Sequence, residues 1–244
     1  MISRKLVILA VAAAVVLLNA TAKSQEHSRK AFSVRLGDAE VIVPTPLGFE
    51  EATSQFEGVK ANFSATESPD NDMLAVYLTA SDCELLRQGK QPSMAFYTKV
   101  SVLKARRAAP FSTEDLAALG AEFRKSGAGI MDPNGPNMKA QLEHIEQALR
   151  SRNSATMSVD MSKPVNLGEF DVRPNVYSVL LIITFKIASS SGESSTPLLA
   201  GMCFTRVKDR LVYFFTYRKY QSKADVESLT TFTKKWITMI LDAN

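Results

Sequence analysis

Three long β-patterned runs crowd the last third of this chain with only short connections between them, and nothing else in the sequence constrains the fold as much. Val176 to Ile187 is rich in Val, Ile, Leu and Phe. Leu198 to Val207 and Leu211 to Tyr220 follow, joined by the tight turn Lys208-Asp209-Arg210, and the serine-rich stretch Ser189 to Thr196 reads as a hairpin loop. Strands joined this closely pair antiparallel, because a parallel pair needs a crossover of about a dozen residues or more. The expected class is therefore α+β: an antiparallel sheet packed by helices, not a doubly wound parallel sheet.

The first hundred residues extend that sheet. Phe32 to Leu36 and Glu40 to Val43 alternate around Gly37-Asp38 as a hairpin with one buried face. Pro44 and Pro46 end the second strand, since proline cannot donate to a ladder. Glu50 to Val59 reads as a short helix and Ser64 to Asp72 as a polar loop. Met73 to Ala80 and Ser93 to Leu103 read as strands, the latter with Met94, Phe96, Thr98, Val100 and Val102 on one side. Lys104, Arg106 and Arg107 continue it as a basic end.

The middle of the chain, residues 112–151, reads as an inserted helical hairpin. Ser112 or Thr113 can cap its first helix, with Glu114 and Asp115 favouring the positive end of the helix dipole. Asp132 to Pro136 is a turn cluster, and Leu142, Ile145 and Leu149 form the stripe of the second helix. A C-terminal helix carries Val226, Leu229, Phe232, Trp236, Ile237 and Ile240 at three- and four-residue spacing. Residues 32–244 thus read as a single domain, preceded by a polar leader over 23–31.

Residues 1–22 read as a cleavable export signal. Arg4 and Lys5 precede 13 apolar residues, Leu6 to Leu18, and Ala20 and Ala22 supply the small-residue cleavage pattern. A spanning helix needs about 20 apolar residues, and no later segment is apolar enough to cross a bilayer. The expected mature protein is exported, periplasmic or secreted. Loss of Arg4 and Lys5 lowers the formal charge from +4 to +2, so net charge gives no reason to expect nucleic acid. An oxidising compartment would allow Cys83 and Cys203 to form a disulfide; two buried free thiols are the alternative.

Val41-Ile42-Val43-Pro44 followed by Gly48-Phe49 resembles the opening of the PsbP-like superfamily, and the strand pair ending at Tyr220 before a Trp236-bearing helix is similar to its ending. That superfamily includes extrinsic photosystem subunits, a Ran-binding nuclear transport factor and bacterial envelope proteins of the DcrB type. The resemblance implies an antiparallel sheet sandwiched by helices and a non-enzymatic accessory or binding role. The helical hairpin is larger than the family needs, and no family site residue transfers.

Catalytic constellations are sparse. His27 sits in the leader and His144 in a helix, with no G-x-S-x-G elbow. No H-E-x-x-H or C-x-x-C occurs, Asp70-Asn71-Asp72 lacks the spacing of a calcium loop, and Gly127-Ala128-Gly129 follows a helix where a phosphate cradle would follow a strand. No cofactor is expected. Lys104, Arg106, Arg107, Arg218 and Lys219 would form one surface for an anionic lipid or acidic partner if their strands place them together. The sequence therefore points to a non-catalytic binding or accessory protein of the cell envelope. The alternative is an exported hydrolase using dispersed carboxylates such as Glu169 and Asp171.

Overall fold

The structure, a computed structural model, describes residues 31–126, 131–153, 157–189 and 192–244. The expected export signal, nearly all of the expected leader, His27 and Gly127-Ala128-Gly129 lie outside the described residues.

β1 (Phe32–Leu36) folds back on β2 (Ala39–Val43) with Phe32 opposite Val43. This two-stranded ribbon stands apart from the main sheet. After the proline loop come β3 (Phe49–Glu51), α1 (Glu57–Thr66), β4 (Asn71–Thr79), α2 (Ala80–Arg87) and β5 (Phe96–Leu103). The segment expected to be helical from Glu50 thus begins as a strand. Phe49 pairs with Thr79, and Glu51 folds its carboxylate back onto the Thr53 and Ser54 backbone amides (2.8 and 3.0 Å), which holds a turn until α1 starts. The basic end of β5 does not extend the strand either: Lys104–Arg106 is a 3₁₀ turn whose first amide donates to the Asp70 carbonyl, 2.9 Å.

The helical hairpin is α3 (Thr113–Ser126) and α4 (Pro136–Asn153). Ser112 caps α3 reciprocally: its hydroxyl accepts from the Asp115 amide and its amide donates to the Asp115 carboxylate, both at 3.0 Å. The chain closes with β6 (Met157–Met161), β7 (Val165–Arg173), β8 (Val176–Ser189), β9 (Gly192–Val207), β10 (Arg210–Lys219) and α5 (Lys223–Asp242).

The class is α+β, with an eight-stranded antiparallel sheet in the order β3-β4-β5-β10-β9-β8-β6, while β7 pairs with the rest of the outer edge of β8. The late strand β10 returns to lie beside β5, so the meander and the early strands share one sheet.

Side-chain alternation divides the core into two layers. On β10, Leu211, Tyr213, Phe215 and Tyr217 face α1 to α4, while Val212 and Phe214 face the β1–β2 ribbon and α5. Both faces are buried, which is why β4, β5, β8 and β9 read as nearly continuous apolar runs. The close approach of α5 is set by Gly201 on β9, where a Cβ would lie 2.9 Å from the Leu229 side chain.

Asp225 fixes the start of α5. It accepts from the Arg218 Nε (2.8 Å) and from the Gln221 and Ser222 amides (3.0 and 2.9 Å), and these contacts hold its carboxyl down at about 2. A depressed carboxyl contributes stability at pH values above its unfolded pKa and loses it as pH falls through the folded one. Urea unfolding is therefore expected to show an Asp225-dependent loss of stability between about pH 4 and pH 2, and Asp225→Asn should remove that component.

Candidate functional site

The described residues leave five large apolar side chains exposed, and two of them flank one groove. Leu47, 79% exposed, is the tip of the loop between β2 and β3, and Met239, 41% exposed, lies on α5. The groove between them is about 620 Å³, within the range of natural binding pockets. Along α5 its wall is Ala224, Glu227, Ser228, Thr231, Lys235 and Met239, a stripe at three- and four-residue spacing. The core stripe of the same helix, Leu229, Trp236, Ile237 and Ile240, lies beside it.

The groove is braced from beneath. Trp236 Nε1 donates to the Pro44 carbonyl at 2.8 Å, tying the proline loop to α5. The Trp236 ring packs edge-on to Tyr77 and Phe214, with centroids at 5.6 and 5.4 Å. Phe232 fills the floor against Phe49 and Phe96 (4.9 and 4.8 Å). Pro44 and Pro46 each fix their own φ in this loop, and the Trp236 bond ties it to the aromatic cluster. Charge on the wall comes from Glu227 and Lys235, eight residues and about 12 Å apart along the helix.

The residues expected to form a basic surface are not brought together. Arg218 lies opposite Phe96 at one end of β5, whereas Lys104, Arg106 and Arg107 follow Leu103 at the other. At about 3.3 Å per residue, the two groups are separated by roughly 25 Å. Most of these cations are also engaged locally. Lys104 donates to the Pro69 carbonyl (2.7 Å), Arg107 to Asp72 (3.0 Å), and Arg218 to Asp225 while covering the Phe96 ring at 5.1 Å. Lys219 is exposed next to Arg218. Antiparallel pairing places residues late in β10 against the start of β5, which is the physical reason for the separation.

Of the two states open to the cysteines the structure has the free one: Cys83 and Cys203 are unpaired with each other and buried. Cys83, on α2, belongs to the core layer under α1 to α4, and Cys203, on β9, points to the α5 side of the sheet. A full sheet thickness separates them, whereas a disulfide needs Cα atoms within about 7 Å. Burial pushes both thiols up to about 12, which keeps them protonated and unreactive at neutral pH.

Glu169 and Asp171 do not converge either. A bulge in β7 between them leaves Glu169 opposite Val179 and Asp171 opposite Ser178. Two residues apart on a regular strand they would share a face; the bulge turns them to opposite faces. Glu169 pairs with Arg124 on α3, and Asp171 pairs with Arg173, which reaches Thr238 on α5. Among the described residues no group of three or more His, Cys, Asp and Glu is placed to hold a metal. Asp72 is spent on Arg107, Asn71 is buried, and His144 sits half-buried on α4. No described helix is long and apolar enough to cross a membrane.

The groove is not legible in the sequence: the apolar spacing of α5 places Phe232 in the core stripe and leaves Met239 out of it, whereas Phe232 lines the groove floor and Met239 its rim. Pro44 and Pro46 were legible as strand stops, but nothing local shows that Leu47 between proline and glycine points outward.

No family model matches the chain, and no curated protein sequence does. Among solved structures it is similar to the Saccharomyces cerevisiae Ran-binding protein Mog1p, at 14% identity over 88% of this chain and 94% of that one, with a TM-score of 0.32. A point mutant of Mog1 shows 15% identity over 87% and 92% of the two chains, with a TM-score of 0.29. Likeness at this level transfers no residue role to the chain.

Proposed function

We propose that this chain is an exported, non-catalytic accessory protein of the cell envelope. In this reading it holds one amphipathic helical segment of a partner protein in the groove between α5 and the Pro46-Leu47 loop. The observation that carries the reading is the pairing of an exposed Leu47 with a second, core-independent stripe on α5. A helix with two usable stripes can bury one against its own sheet and offer the other. From Ala224 to Met239 that stripe is about 22 Å long at 1.5 Å per residue, the span of a four-turn helix. Glu227 and Lys235 give it polarity, and favour a partner segment with a basic residue near the first and an acidic residue near the second.

Export is supported by the basic, apolar and small-residue succession over 1–22. A PsbP-like relationship is supported by Val41 to Pro44 and Gly48-Phe49, the segment that enters the groove loop. The expectation of an anionic lipid surface has no such support, since its cations lie at two ends of the sheet.

The test is reconstitution. A partner recovered from envelope extracts by the mature chain is purified and titrated against wild type and Leu47→Asp. The expected result is at least tenfold weaker binding by Leu47→Asp with an unchanged unfolding midpoint, because a central apolar anchor typically carries about 2 kcal/mol or more. Equal binding by the two proteins would contradict the reading.

A further inference from the structure

On the opposite face of the sheet from α5, a cleft of about 410 Å³ opens between α3 and the β7–β8 pair. Its floor is apolar: Phe123, Val179, Leu181 and the ring of Tyr177. Its mouth carries one carboxylate, Glu169, and one guanidinium, Arg124. Arg124 donates to Glu169 from Nε at 2.6 Å and from Nη2 at 3.5 Å, and its guanidinium carbon stands 5.5 Å from the centre of the Tyr177 ring.

The acceptor side of this arrangement is built, and the donor side is loose. Glu169 sits on a stretch of β7 bracketed by two register shifts, and the intervening Gly168 has φ +103°, a backbone conformation that other residues rarely adopt. Tyr177 is held under α3 by Gly120, where any Cβ would lie 2.9 Å from the ring. Arg124, in contrast, is a helix-surface side chain, 53% exposed. A half-exposed ion pair is weak because water screens it, so the guanidinium can swing into water at small cost. When it does, a fixed carboxylate, an aromatic face and an apolar cleft are left together.

We propose that this cleft binds an organic cation, a guanidinium or alkylammonium group carried on an apolar stem, and that Arg124 occupies the cation's place as an internal stand-in. The cation would pair with Glu169 and lie on the Tyr177 ring, as Arg124 does, while the stem enters over Phe123, Val179 and Leu181. An anionic ligand fits the site poorly. It would take Arg124 from Glu169 and leave that carboxylate unpaired beside a second negative charge. The proposal uses the other face of the molecule from the α5 groove and stands independently of the partner reading above.

The cation can come as a free molecule or as a peptide side chain, and calorimetric or NMR titration of the mature chain separates the two. The probes are n-hexylguanidinium, an acetylated apolar peptide amide with a single arginine, and n-hexanoate. Binding of either cationic probe, with hexanoate inert, is the expected result; the stronger of the two identifies the source. Glu169→Gln should weaken the cation by about tenfold or more, the usual range for losing a hydrogen bond to a charged group. Arg124→Ala should strengthen it by up to about fivefold, because the internal competitor is gone. The opposite signs separate binding from a loss of fold, which would weaken both. No binding of either cation, or hexanoate binding that Arg124→Ala abolishes, would overturn the proposal.

Discussion

Methionine in place of Lys99 is expected to lower the unfolding free energy by about 3–5 kcal/mol, the range measured when one partner of a buried ion pair is removed. Lys99 projects from β5 into the core layer under α1 and α4, where its Nζ lies 2.7 Å from Glu67 Oε2; the two side chains are 2% and 4% exposed. Glu67 is the hub of the cluster. Its Oε2 also accepts from the Ser101 hydroxyl at 3.2 Å, and its Oε1 from Asn71 Nδ2 and the Ser68 amide at 3.1 and 3.3 Å. The ammonium faces the Phe215 ring at 5.2 Å. Without Lys99, neutral donors alone must hold a carboxylate away from water.

Charge removed from both partners should cost less than charge removed from one. Lys99→Met with Glu67→Gln leaves an amide oxygen to accept from Asn71 and Ser68, an amide N–H to donate to the Ser101 hydroxyl and no uncompensated ion, so the double variant is expected to recover at least half of the loss. Urea unfolding of wild type, both single variants and the double variant checks this. A double variant as unstable as the sum of the singles would show that the pair is not coupled.

Trp236→Ala should be comparably damaging, at about 3–5 kcal/mol. The ring is 1% exposed and packs on Tyr77 and Phe214, and its indole N–H satisfies the Pro44 carbonyl. Trp236→Phe keeps most of the packing and loses the hydrogen bond, so it should cost about half as much or less. Guanidinium unfolding followed by circular dichroism measures both, since removing the sole tryptophan removes the fluorescence signal. The Pro44–Trp236 bond also positions Leu47, so Trp236→Phe should loosen partner binding more than its effect on stability alone would suggest.

The contrast between these two sites shows what the sequence could reveal. Trp236 was legible: it stands in a run of apolar residues at helical spacing, and only a helix packed on a sheet buries such a run. Lys99 was not. Alternation along β5 sets Thr98, Val100 and Val102 on one side and Tyr97, Lys99 and Ser101 on the other, and nothing in it tells whether one face of the sheet is covered or both. Here α1 to α4 cover the second face, so every side chain from Tyr97 to Leu103 is buried. Glu67 was hidden for a related reason, since Ser64 to Asp72 has the composition of a solvated loop and is polar because it lines an internal ion pair.

Sheet register accounts for the remaining differences. The antiparallel class followed from short connections alone, but which residues meet across strands depends on pairing that local patterns do not encode. Arg218 falls beside Phe96 and not beside Arg107, and a single bulge sends Glu169 and Asp171 to opposite faces. The Arg124–Glu169 contact spans 45 residues and joins the helical insertion to the strands that follow it, so no motif could announce it.

The proposed binding of a partner in the α5 groove is open to site-specific photo-crosslinking in the producing cell. A photoreactive residue replaces Met239 in one variant and Lys139, exposed on α4 across the sheet, in another. A single discrete adduct is expected from position 239, absent from position 139 and lost when Leu47→Asp is added. Adducts of equal yield from both positions, or a 239 adduct that survives Leu47→Asp, would contradict it.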